Sequence, residues 1–196
     1  MSNIHQVNGY RSDDGSSRPM RLDEITNAIQ VVDQVHHEIH AGYSFMYHDV
    51  IASLGDTTVQ DYWIITPDTT QWIHSGHSIE STGPFTLEIF EGADRTSAKT
   101  LQTVFNRNRN SLNTATAAVY KNDNTGASTG GSTDGTRIVW WKGGVANNKV
   151  TNGASAGSGN EKILKQNTAY IIRITSGMAA NLISVAIDWY EHANVL

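Results

Sequence analysis

The sequence predicts an all-β domain folded as a two-sheet sandwich, and three observations predict it. Several short segments alternate apolar and polar side chains, the period of a half-buried strand. Small, turn-forming or β-branched polar residues are abundant, with Gly 17, Ser 17, Thr 20 and Asn 16 among 196 positions. Charged residues make up only 17% and hydrophobic ones 38%, whereas helical bundles, coiled coils and acidic disordered chains need other compositions. Domains commonly hold about 100–200 residues, so a single core is the default for this length.

Residues 1–22 contain Ile4 and Val7 as the only aliphatics before Met20 and Leu22, too few to bury a face, and read as an extended arm. Over 23–32, Ile25, Ala28, Ile29 and Val32 recur at helical spacing and predict a short helix, although Ile29, Val31 and Val32 also suit a strand. The expected organisation is therefore an N-terminal arm over 1–35 holding that helix, and one sandwich domain over 36–196.

Strands are expected over 36–42 and then 43–51, where Tyr43, Phe45 and Tyr47 share a face. The run 59–66 is apolar or aromatic on both faces, with Trp63 and Ile65 on one and Tyr62 and Ile64 on the other, as a central strand is. Phe85, Leu87 and Ile89 alternate with Thr86 and Glu88, and Ile183, Val185, Ile187 and Trp189 alternate with polar or small neighbours. Segments 72–79, 114–120, 138–142 and 169–175 complete a set of about eight to ten strands, for which a sandwich is the simplest container. Residues 121–136 lack any large apolar side chain and 144–160 hold only Val145 and Val150. Both read as exposed loops, either plain connections or surfaces for binding and assembly.

The net charge of −5 removes the basic footprint of nucleic-acid binding. With no cysteine, disulfides, thiolate nucleophiles and thiolate metal sites are excluded together. The first residues lack the basic start and apolar run of a signal peptide, and no stretch approaches the ~20 apolar residues of a membrane span, so the chain is expected to be intracellular as synthesised. No nucleophile elbow, P-loop or dinucleotide fingerprint occurs, and no catalytic residue or cofactor is assigned.

Three clusters stand out. His36-His37-Glu38-Ile39-His40 fits neither zincin spacing. On a strand, His36, Glu38 and His40 would share a face and could bind a metal if His74 or His77 supplied a further ligand. The favoured reading is a hydrogen-bonded or interface role for these histidines, with no metal. In Asn106-Arg107-Asn108-Arg109-Asn110, the guanidiniums either grip phosphate or carboxylate ligands or pair with Asp and Glu of the same or a neighbouring subunit. Trp140 and Trp141 must face opposite ways on a strand, so at most one joins the core and the other needs a cover. His36, His37, His40, Asn106, Arg107, Arg109 and Trp141 are the candidate interface residues.

The ordered set HHEIHAGYSF at 36–45, ITPDTTQWIH at 65–74, EIFEGA at 88–93, FNRNRNS at 105–111, KILKQNTAYIIRITSG at 162–177 and DWYEH at 188–192 resembles the capsid decoration, or cement, proteins of tailed bacteriophages. The resemblance implies a jelly-roll-like sandwich that trimerises on the outer capsid surface at three-fold and quasi-three-fold positions. There it would bridge neighbouring major capsid subunits after synthesis in the bacterial cytoplasm, without enzymatic activity, cofactor, nucleic acid or membrane. A carbohydrate- or receptor-binding module of the virion is the rival expectation, motivated by five Trp and the two long loops.

Overall fold

In the computed structural model, which describes residues 34–95, 100–122, 134–144, 154–155 and 161–193, the alternating segments become twelve strands in two six-stranded antiparallel sheets. The chain runs through α1 (Gln34–Ala41), β1 (Ser44–Leu54), β2 (Val59–Ile65), β3 (Gln71–Ser81), β4 (Phe85–Glu91), β5 (Thr100–Leu101) and β6 (Phe105–Asn106). It continues through β7 (Ala118–Lys121), β8 (Thr136–Gly143), β9 (Ala154–Ser155), β10 (Lys162–Leu164), β11 (Ala169–Ser176) and β12 (Asn181–Ala193). One sheet has the order β10-β3-β12-β1-β6, with β9 also on β3, and the other β5-β7-β2-β11-β4-β8. The chain divides into units 1–37 and 38–196. The expected arm and its helix lie outside the described residues, apart from residues 34 and 35.

The sheets face each other across one apolar core. Phe45 and Tyr47 of β1, Ile73 and Ile79 of β3, and Ile183, Val185, Ile187 and Trp189 of β12 meet Tyr62 and Ile64 of β2, Phe85, Leu87 and Ile89 of β4, and Tyr170, Ile172 and Ile174 of β11. Burying each such side chain contributes about 1.5–3 kcal/mol, so two facing stripes of period-two apolar residues suffice to specify the sandwich. The second sheet also buries its outer face, where Trp63, Ala93, Ala169 and Ile171 pack with Ile65, Phe90 and Tyr120. This explains why β2 is apolar on both sides, and it lies between β7 and β11 as a central strand.

Polar side chains stitch the sheets together. The buried Glu191 carboxylate at the end of β12 accepts from the N–H of Thr116 (3.0 Å) and Ala117 (3.1 Å), the hydroxyl of Thr116 (2.6 Å) and the Trp189 indole (2.9 Å). The Asp49 carboxylate of β1 meets Tyr62 (2.6 Å) and Lys121 (2.6 Å) of the facing sheet. Burial alone would raise its pKa, but these two partners hold it below the usual carboxylate range. On the outer face of the second sheet, Arg173 makes two bidentate pairs, with Asp61 (2.9 and 3.0 Å) and Asp134 (2.8 and 3.1 Å), its guanidinium lying over Phe90.

Four expectations are corrected. Residues 36–42 are not a strand: α1 covers most of them, with Val35 and Ile39 at helical spacing. The helix is closed at Gly42, whose φ of 79° suits glycine. There the N–H of Tyr43 donates to Glu38 O (2.9 Å) and that of Gly42 to Ile39 O (3.1 Å), a Schellman cap. Tyr43 precedes β1, its N–H serving that cap, and its side chain is exposed. Residues 114–117 are not strand, since Glu191 takes the N–H groups of 116 and 117 that a ladder would use. Within the expected loop 144–160, residues 154–155 pair with Ser78 and Ile79 as β9; the interior of the loop expected over 121–136 falls outside the described residues. Among the described residues no helix is long and apolar enough to cross a membrane.

Candidate assembly surface

The run Asn106 to Asn110 builds its own scaffold. Asn106 Oδ1 accepts from the N–H of Asn108 (2.8 Å), and Asn108 Oδ1 from that of Asn110 (3.1 Å), so alternate asparagines each impose a turn two residues ahead. The Asn106 amide donates to Gly42 O (2.8 Å) and Asn113 O (3.1 Å), and the Asn108 amide to His40 O (3.1 Å). The asparagine-arginine run is thereby clasped to the C-terminal end of α1. Two clusters that sequence presents more than sixty positions apart, the last histidine of one and the whole of the other, meet at one corner of the sandwich.

This corner exposes the two arginines differently. Arg107 donates to Ser44 Oγ (3.5 Å) and is half-buried; Arg109 donates to Asn106 O (3.5 Å) and lies over the Phe105 ring at 5.2 Å. Neither makes an ion pair among the described residues, so the expectation that Asp or Glu of the same subunit pairs with them is not met within this set. Around them Tyr43 (41%), Phe105 (46%) and Leu112 (97%) are exposed. Arg and aromatic side chains are the types enriched at protein-interface cores.

Of the expected contact residues, His40, Arg107 and Arg109 present themselves here, and His36 and His37 are exposed on α1. Asn106 is corrected from a contact group to a buried brace, because its amide is spent inside the corner. Trp141 belongs elsewhere, on β8 against Phe85 at 5.5 Å between ring centres, and both Trp140 and Trp141 are exposed. Tyr43, Phe105 and Leu112 escaped the sequence reading. The legible signal was that Phe105 and Leu112 are large apolar residues flanking a polar run.

The other histidines form a separate array. His74 of β3 and His192 of β12 face each other Nε2 to Nε2 at 2.9 Å; His74 Nδ1 meets Glu161 (2.6 Å), which also accepts from the Tyr190 hydroxyl (2.8 Å), and His192 Nδ1 meets Ala193 O (2.7 Å). The two rings are thus tied to each other, to a carboxylate and to a backbone carbonyl. His77, expected as an alternative ligand beside His74, points to the opposite, interior face of β3. It borders a void of about 10 Å³, room for one water, with Ser75, Lys162 and Tyr170 on its wall. Burial, with Lys162 adding to it, pushes its pKa down to about 4. Among the described residues no group of three or more His, Asp or Glu side chains is arranged to hold a metal ion. A hollow of about 410 Å³ lined by Trp72, Ile163, Leu164, Lys165 and Gln166 adjoins the array. The Lys165 ammonium there is held by Glu91 (2.5 Å).

Comparison with family models, curated proteins and solved structures matches none of them.

Proposed function

We propose that this chain is a non-enzymatic virion protein that binds the outer surface of a bacteriophage capsid. It bridges neighbouring major capsid subunits as a homotrimer at three-fold and quasi-three-fold positions. One observation carries the reading: a corner that exposes Tyr43, Phe105 and Leu112 near two arginines, one of them over Phe105, whose guanidiniums have no carboxylate partner among the described residues. Such a surface loses little on desolvation and offers bidentate donors to acidic groups of a partner. The ordered resemblance over 36–192 supplies the kind of partner.

The test is to mix purified protein with expanded, undecorated capsids of its own phage at physiological salt. Co-sedimentation and a solution mass three times that of the chain are expected; protein left in the supernatant sinks the reading. The second reading, a carbohydrate- or receptor-binding virion module, is favoured by the hollow beside Trp72 and predicts glycan-dependent quenching of tryptophan fluorescence.

A further inference from the structure

We infer that β8 is a strand-accepting edge that takes an extended, carboxylate-bearing segment of another protein chain, adding it to the second sheet. β8 carries this by itself, whatever surface the molecule sits on. Among the described residues it is the last strand of its sheet, pairs only with β4 and is eight residues long, so beyond the register shift at Ile138 alternate N–H and C=O groups face outward from Val139 to Gly143. Other sheet ends finish in strands of two or three residues, β5, β6 and β10. The part of β1 that β6 leaves uncovered is guarded by an inward-facing charge, Asp49, a feature that opposes addition of another strand.

β8 lacks that guard. Opposite Leu87 and Ile89 it carries Trp141 and Val139, and outside it displays Ile138 (43% exposed) and Trp140 (56%). Aromatic and β-branched cross-strand pairs each stabilise a sheet by about 0.2–1 kcal/mol. Its far end is fixed, because the Trp141 ring lies across Gly143, where any Cβ would strike it. A preformed edge spares the partner's binding energy the cost of ordering it.

Charge selects the occupant. Arg137 is paired with Glu88 (2.7 Å), but the Lys142 ammonium makes no ion pair among the described residues and rests over the Trp140 ring at 5.4 Å. A second copy would bring another Arg137 and Lys142 to the same edge, whereas a strand alternating apolar and acidic residues would set carboxylates against them and an apolar side chain on Trp140.

The probe is a synthetic peptide the length of β8 alternating valine and glutamate, with a lysine-for-glutamate counterpart and two forms N-methylated on alternate residues. The acidic peptide should saturate with a Kd tighter than about 1 mM, shifting β8 amide signals in NMR spectra. The lysine peptide should bind at least about tenfold more weakly. One N-methylated form should lose binding and the other keep it, since only one register of N–H groups faces the edge. Lys142→Glu, at an exposed position, should reverse the preference between the charged peptides. Absence of saturation by either peptide, equal binding of the two N-methylated forms, or shifts confined to amides away from β8 would overturn the inference. So would a concentration-dependent rise in mass that Lys142→Glu changes, because the edge would then belong to a second copy.

Discussion

The Glu191 carboxyl group faces donors alone among the described residues: two N–H groups, a hydroxyl and an indole. Glu191→Gln keeps the shape but turns an amide N–H₂ toward those donors, and should cost about 2 kcal/mol of unfolding free energy in urea titrations. His77 acts in the opposite sense, as a group the fold keeps uncharged. Below its ordinary pKa of 6.5 the unfolded chain takes a proton that the folded one refuses until about 4. Stability therefore falls as pH drops from 6.5 toward 4, by up to about 3 kcal/mol from this residue. His77→Leu should flatten that part of the stability profile relative to the parent protein, and an unchanged profile would contradict the burial argument. His192→Phe should remove the Nε2 contact and shift the His74 ring signals in NMR spectra, whereas unchanged signals would count against the pairing. None of these three groupings is legible in the sequence, because their members come together only through tertiary pairing, 118 positions apart for the two histidines.

At the scale of elements, reading succeeded where side-chain period decides and failed where a backbone cap decides. β4 and β12 were legible because Leu87 and Ile187 each reveal a face by alternation, and β2 because Tyr62 and Trp63 make its run apolar on both faces. The segment 36–42 was misread because histidine and glutamate sit as readily on a strand as on a helix, and the deciding event is the left-handed turn at Gly42. A Cβ there would also run into Ser111. Gly42→Ala should thus cost about 2 kcal/mol and raise hydrogen exchange at Asn108 and Ser111, whose turn leans on this residue's carbonyl neighbourhood. If exchange rose uniformly across the sandwich instead, the corner would not be a local unit.

For the whole molecule, the proposed attachment predicts a separation between stability and binding. Arg107→Glu with Arg109→Glu should abolish capsid co-sedimentation while costing no more than about 1 kcal/mol in unfolding, since Arg109 is exposed and the half-buried Arg107 gives up one long hydrogen bond to Ser44. Loss of both together would assign these arginines to folding. If each corner grips its site at only about 1 mM, three corners engaging together bind far more tightly, so monomeric variants should detach on dilution. The corner was half legible: the polar run announced itself, but its apolar surround depends on where the fold leaves Phe105 and Leu112.

β12 has a mechanical consequence. Among the described residues it is the longest strand, laddered on both sides, to β1 and to β3, nearly end to end. Tension applied along it would load both ladders in shear, so that many hydrogen bonds must fail together rather than one after another. The Glu191 clasp at its end would pass part of that load to the other sheet. A molecule pulled between neighbours would yield first at its short outer strands and last at its centre.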